Sequence, residues 1–157
     1  IVFLGDLEPG EEGTFSEKIH SYGNGGLEKI LRKYLDLKDT EYPDYAVNAV
    51  TEQGTLHWLD KVGNRIAPVA FGPRKVVIVA GRNKIVADRA QAEERIRTIA
   101  APQNVARHPG FRTPCARTGV CSDCNSPDRV CNTRMEMMRC WPAGRMLVVL
   151  IDQELGL

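Results

Sequence analysis

The stretch Lys75-Val76-Val77-Ile78-Val79-Ala80 decides the fold, because it is an unbroken apolar run rich in β-branched residues. Such a run is typical of a parallel strand that is buried on both faces. The polar loop Gly81-Arg82-Asn83-Lys84 follows it, and Asp88 can then cap a helix that extends to about Ala100. Strand, polar loop and helix in this order predict an α/β unit.

Other apolar stretches extend this unit. Met146–Ile151 is a second continuous apolar run, and two β-prone segments, Tyr45–Val50 and Thr55–Leu59, flank the turn Glu52-Gln53-Gly54. At 157 residues the chain has room for one hydrophobic core. We therefore predict a single domain over residues 1–157, of the α/β class, with a mainly parallel sheet flanked by helices.

The remaining segments are predicted from their local patterns. Leu27 to Leu35 has helical spacing, and Ile66 to Phe71 fits either a helix or a strand. Pro102 is expected to stop the helix that Asp88 begins. Residues 103–142 are polar and are expected to form a cysteine-rich loop region.

Composition argues against two classes of partner. The chain has 21 basic and 20 acidic residues, so its net charge of +1 creates no global field that favours nucleic acid or an anionic membrane. No apolar run approaches the ~20 residues that a membrane-spanning helix needs. We expect a soluble, cytoplasmic protein that recognises its partners through local features.

Four of the five cysteines are clustered with the spacing C-x5-C-x2-C-x6-C. Two sulfurs of one C-x2-C turn can reach the same centre, so we expect the four thiols to bind a metal or cluster. An iron–sulfur cluster and a structural zinc both stay open, because the spacing matches neither a standard zinc finger nor the bacterial ferredoxin run. Free structural thiols are the alternative. The predicted ligands are Cys115, Cys121, Cys124 and Cys131, while Cys140 lies outside the group.

The polar loops after the predicted strands indicate a site for a small anion. In an open α/β sheet, such loops project into the crevice at the strand ends. Arg65 and Lys84 supply positive charge there, and Asn64 and Asn83 supply amides from the same loops. Ordinary solvated turns are the alternative.

Few residues suggest catalysis. Glu52 lies in a glycine-flanked turn that the sequence places close to those loops, and its alternative is an exposed turn acid. His20, His57 and His108 each stand alone, so none is predicted to be catalytic. The phosphate-binding and hydrolase motifs of known enzyme classes are missing from the sequence.

Several motifs in a fixed order resemble the LUD domain of lactate-utilisation proteins. They include Asn48 to Leu56, Gly63-Asn64-Arg65, Phe71 to Val76 and Thr113 to Arg129. The resemblance extends from about residue 45 to Glu154-Leu155-Gly156, whereas residues 1–44 do not match and are either incomplete or divergent. It implies a fold of the NagB/RpiA/CoA-transferase-like kind, which sugar-phosphate isomerases and CoA transferases share.

The resemblance also implies a role in bacterial oxidation of lactate to pyruvate, beside iron–sulfur partner proteins. It adds Asn48 to the expected anion site, at a position where isomerases of the superfamily carry an aspartate. Because an amide cannot shuttle a proton, isomerase chemistry is not expected here.

Three functions follow as hypotheses. The first is an electron-transfer or assembly component that carries an iron–sulfur cluster, as a subunit of a lactate-oxidising oxidoreductase complex. The second is a metal-stapled module that binds a small anionic metabolite, and the third is a CoA-transferase-like enzyme with Glu52 as nucleophile. Whether the chain is itself an enzyme stays open, as does its oligomeric state, a homo-oligomer included.

Overall fold

The computed structural model describes residues 2–4 and 44–157. Within these residues the strands are β1 Val2–Leu4, β2 Asp44–Ala46, β3 Ala49–Thr51, β4 Leu56–Asp60, β5 Val76–Gly81, β6 Ile85–Val86, β7 Thr133–Met137 and β8 Met146–Ile151. The α-helices are α1 Ile66–Ala70, α2 Arg89–Arg95, α3 Ala101–Ala106 and α4 Pro114–Thr118. The predicted helix from Leu27 to Leu35 and His20 lie outside the described residues.

The first sheet is parallel throughout. Its strand order is β1-β8-β5-β2, and β5 lies between β8 and β2 with Ile78 opposite Val148 on one side and Tyr45 on the other. Every residue of β5 is buried. The apolar stretches at 75–80 and 146–151 are therefore confirmed as strands of a buried parallel sheet.

A second sheet, with the order β6-β3-β4-β7, is mixed. Strands β3 and β4 are antiparallel around the Glu52 turn, β7 is antiparallel to β4, and β6 is parallel to β3. The prediction of one mainly parallel sheet is therefore not confirmed. The chain leaves the first sheet at Val47-Asn48, so the single β-prone run from Tyr45 to Val50 supplies strands to both sheets.

Strand β7 corrects the expectation that residues 103–142 form only a loop. Met135 and Met137 pack against the core, whereas Arg134 and Glu136 form ion pairs with residues of α2. This alternation is the period of a half-buried strand. It was missed because it covers only five residues within a polar region.

The helix that follows β6 is longer than predicted. Asp88 is its N-cap as expected, with its carboxylate accepting a 2.9 Å hydrogen bond from the backbone N–H of Gln91. A π-helical turn, Ile96–Ala100, then joins α2 to α3, and the chain continues through Pro102. Pro102 has no N–H to donate to the preceding turn, and the change of hydrogen-bond register in the π-helical turn accommodates this loss.

Two hydrophobic clusters position the loops. The larger lies between the sheets and contains Trp58, which is 1% exposed and donates its indole N–H to the carbonyl of Ala46 at 3.1 Å. The smaller joins Leu59 to the helix residues and to Val130 of the cysteine-rich loop. Among the described residues, no helix has both the length and the apolar character needed to cross a bilayer.

Candidate functional site

A cleft of about 540 Å³ opens at the carboxyl ends of the parallel sheet. Each of strands β2, β5 and β8 sends its following segment into the wall, as the strand-end rule predicts. Four residues of the predicted anion site line it, namely Asn48, Asn64, Arg65 and Lys84. Helix α3 and the loop after it form the opposite wall.

Lys84 is the most unusual residue of the cleft. It is only 4% exposed, and among the described residues no carboxylate or carbonyl pairs with its ammonium group. Burial, with smaller contributions from the charges of Arg95 and Arg65, lowers the pKa of Lys84 to about 8. A buried cation without a partner is costly, so a bound anion would relieve this cost.

Arg65 is largely occupied by its own loop. Its backbone N–H and its Nε donate to the two carboxylate oxygens of Asp60 at 2.9 and 3.0 Å, and Nη2 donates to the carbonyl of Leu59. Because Asp60 is buried, this pair fixes the turn after β4. The guanidinium therefore faces the cleft as a rigid cation whose charge is partly balanced.

Asn48 joins the two sheets at the base of the cleft. Its side-chain oxygen accepts the backbone N–H of Leu59 at 2.7 Å, and its carbonyl accepts Nη1 of Arg95 at 2.7 Å. The side-chain NH2 has no partner among the described residues and is available as a donor. An amide at this position can orient a ligand oxygen.

Arg95 was missed by the sequence analysis. It is 6% exposed and donates to the carbonyls of both Asn83 and Asn48, at 2.8 and 2.7 Å. It thus connects the segments after β2 and β5. The available signal was its position beside Ala92 and Ile96 on the apolar face of the helix, where a charged residue requires polar partners.

Asn83 has a different role from the one predicted. Its amide donates to the carbonyl of Gly156 at 3.1 Å, and its oxygen accepts the backbone N–H of Leu155 at 3.0 Å. A Cβ on Gly81 would approach the backbone nitrogen of Leu155 to 2.5 Å. The C-terminal tail, residues 152–157, therefore packs directly on the end of β5. Asn83 therefore fixes the segment that brings Gly156 to the cleft wall.

The far wall carries cations that the sequence analysis did not single out. Lys61 lies over the ring of Phe111, with Nζ 3.9 Å from the centroid, and His108 stacks on the same ring at 4.8 Å. Arg107 also lines the cleft. These residues are difficult to identify as site residues from the sequence, because each lies in a polar loop, where charged residues are usual.

Glu52 lies away from the cleft. It is exposed in the turn between β3 and β4, whereas Arg65 follows the other end of β4. The five residues of β4 separate the two by roughly 13 Å. The hairpin therefore separates Glu52 from the loop that carries Arg65, whereas the backbone N–H of Glu52 donates to the carbonyl of Val86, two residues after Lys84, and Glu52 does not line the cleft.

The four clustered cysteines surround one small cavity of about 10 Å³. All are free, half-buried thiols, whereas Cys140 lies outside and has its Sγ 4.0 Å from the carbonyl of Pro142. Within the described part of the chain, no three His, Cys, Asp or Glu residues are close enough to bind one metal ion. The four thiols thus line one shared cavity, as expected, but they are too far apart to coordinate one metal ion in this structure.

Several of these thiols accept hydrogen bonds. The backbone N–H of Asp123 donates to Cys121 Sγ at 3.4 Å, and Asp123 has a positive φ of 50°, which tightens the C-x2-C turn. Arg129 Nε donates to Cys131 Sγ at 3.3 Å. This bond, together with nearby negative groups, raises the pKa of Arg129 above its ordinary value. Donors aimed at sulfur favour the thiolate as metal ligand.

The cleft and the cysteine cavity share a wall. Ala101 of α3 and Val130 of the cysteine-rich loop line both of them. The two residues belong to the smaller hydrophobic cluster. A change in the packing of either residue should therefore alter both the cleft and the cysteine cavity.

Comparison with known proteins gives one match. The family model described as LUD domain matches residues 45–151, which is more than half of the chain. The cleft residues from Asn48 to Lys84 and all four clustered cysteines lie within this range. Neither a curated protein nor a solved structure matches the chain.

Proposed function

Because the chain belongs to the LUD-domain family of proteins associated with lactate utilisation, we propose that it binds a small organic carboxylate in the cleft. The observation that carries this proposal is Lys84, a buried ammonium group that faces the cleft without a partner among the described residues. An anionic ligand supplies the missing counter-charge.

The surroundings of Lys84 favour a carboxylate. Lys61, Arg65 and Arg107 also line the cleft, and Asp60, their one buried carboxylate neighbour there, is paired with Arg65. Binding pockets for small metabolites have volumes of roughly 300–1,000 Å³, a range that includes this cleft. Lactate and pyruvate are the candidates that the family association favours, and a sugar phosphate is a larger alternative.

Binding is favoured over turnover by isomerase or CoA-transfer chemistry. Asn48 cannot exchange a proton as a carboxylate does, and Glu52 lies at the far end of β4. The only side-chain carboxylate among the described residues that line the cleft, that of Asp60, is occupied by Arg65. We therefore infer a binding or regulatory role for the cleft.

Calorimetric titration with lactate, pyruvate and inorganic phosphate tests this proposal. Loss of a charge-assisted hydrogen bond should make Lys84→Met bind at least about tenfold more weakly than the wild type. Lys75→Met is the matched control, because Lys75 is exposed and bonds to the carbonyl of Gly144. Equal affinities in all three proteins, or no heat with any of the anions, would overturn the proposal.

A second candidate function is metal or cluster binding by the cysteines. It is supported by four free thiols around one cavity, two of which accept N–H donors. Binding would draw the sulfurs inward from their present separation. An iron–sulfur cluster would supply electron transfer, and zinc would supply rigidity.

Elemental analysis of protein purified without oxygen tests the second candidate. Iron with labile sulfide and visible absorbance supports the cluster, and one equivalent of zinc in colourless protein supports a structural metal. Cys121→Ser should lose the metal, whereas Cys140→Ser should keep it because Cys140 is outside the cavity. Absence of metal from the wild type, or retention in both variants, would refute it.

A further inference from the structure

We propose that the amine of Lys84 forms a reversible imine with the carbonyl carbon of a 2-oxo acid bound in the cleft. This rests on the proposed function, because it names the ligand class and the bond that the same site would form. It makes Lys84 a nucleophile as well as a counter-charge.

The backbone around Lys84 is held in place. It ends the 3₁₀ turn Arg82–Lys84 after β5, and the preceding Asn83 is bonded through its side chain to the tail and through its carbonyl to Arg95. Gly156 covers one side of the amine, with the position of a Cβ there only 3.2 Å from Nζ. Lys84 also lines the cleft, from which a ligand can approach it.

The environment favours a neutral amine. A lysine becomes nucleophilic when it is desolvated or lies beside another cation, and Lys84 has both conditions through its burial and through Arg95 and Arg65. With a pKa of about 8, about a quarter of the molecules carry the free amine at pH 7.5. Lys61, by contrast, has its ammonium over an aromatic ring, where its charge is stabilised.

A 2-oxo acid matches the two kinds of group in the cleft. Its carboxylate can form an ion pair with Arg65 or Arg107, and its adjacent carbonyl carbon can then lie next to the amine of Lys84. A 2-hydroxy acid has the carboxylate but no carbonyl, so it binds only by charge and hydrogen bonds. The cleft would therefore distinguish the oxidised from the reduced acid.

The step is balanced without an oxidant. The nitrogen lone pair of Lys84 attacks the carbonyl carbon, the carbonyl π bond opens to an alkoxide, and one proton moves from the nitrogen to this oxygen to give a neutral carbinolamine. A second proton, from solvent, lets the hydroxyl leave as water while the nitrogen lone pair forms the C=N bond, which gives the protonated imine. The imine carries one positive charge, which the ligand's own carboxylate balances.

Trapping with cyanoborohydride tests the inference. The protein is incubated with pyruvate and the reductant, and peptide mapping locates the adduct. One adduct per chain at Lys84 is expected in the wild type and in Lys75→Met, and none in Lys84→Met or with lactate. Lys84→Arg provides a second check, since it keeps the positive charge for binding but cannot form the imine.

The outcomes separate this inference from the proposed function. Pyruvate binding in the calorimeter without an adduct at Lys84 overturns the imine and leaves the carboxylate site intact. An adduct spread over many lysines, undiminished in Lys84→Met, overturns it as well. No calorimetric binding of lactate, pyruvate or phosphate removes both.

Discussion

The cleft and the cysteine cavity lie on two sides of the same wall and are built in opposite ways. The cleft is lined by residues from six separate segments, and its central cation is buried without a partner among the described residues. The cysteine cavity is formed mainly by one continuous loop whose thiols are half-buried and hydrogen-bonded. One site is preorganised by the fold, and the other by local chain geometry.

The difference determines how each site should respond to change. In the cleft, charge is fixed by buried hydrogen bonds such as those of Arg95, so a substitution costs folding free energy as well as affinity. In the loop, the charged partner of the thiols is nearer to solvent, so a substitution should alter reactivity more than stability. The four predictions below test this contrast.

The largest effect is expected for Arg95→Met. It removes the donors for the carbonyls of Asn48 and Asn83, which would cost about 4 kcal/mol of unfolding free energy. Urea denaturation measures the cost, and Arg97→Met, at an exposed position of the same helix, should change stability little. A loss below about 1 kcal/mol for Arg95→Met would argue against a rigid cleft.

The next effect is a dependence of stability on pH. Lys84 has a pKa of about 8 when folded and 10.5 ordinarily, so between these values the unfolded chain binds more protons. Stability contributed by this residue should therefore rise with pH from about 8 to about 10.5, by about 3 kcal/mol in total. The difference in unfolding free energy between wild type and Lys84→Met, measured across this range, checks it. A flat difference would show that the burial of Lys84 carries no such cost.

A smaller effect is expected at the shared wall. Val130→Ala removes two methyl groups from a site that is 4% exposed, which should cost about 2 kcal/mol. Because Val130 lines both cavities, the variant should bind carboxylate more weakly and expose the clustered thiols to alkylation faster. A change on one side alone would show that the two sites are independent.

The smallest effect on stability is expected for Arg129→Gln. The guanidinium donates to Cys131 Sγ but lies near the surface, so the unfolding transition should move little. Alkylation of Cys131 by iodoacetamide should slow several-fold, because the sulfur loses its adjacent cation. Cys140 serves as the internal reference, and equal slowing at both cysteines would contradict the assignment.

The parts of the fold that depend on local pattern could be predicted from the sequence. Residues adjacent in the sequence were sufficient to predict the strands β5 and β8 and the helix cap at Asp88. Strand β7 and the continuation through Pro102 could not be predicted in this way, because pairing with β4 and a π-helical turn override the local signals.

The candidate site shows the same division. The spacing of the cysteines was enough to group them around one cavity, and the strand-end rule was enough to bring Arg65 and Lys84 together. The burial of Lys84, the buried donors of Arg95 and the tail fixed by Asn83 depend on contacts between distant segments. Residue type and spacing carry no information on such contacts.

The most direct test of the carboxylate site is an NMR titration of the ε-methylene group of Lys84, with and without saturating lactate. We predict a pKa of about 8 in the free protein and a higher value when lactate pairs with the ammonium group. A pKa near 10.5 that lactate leaves unchanged would contradict the account.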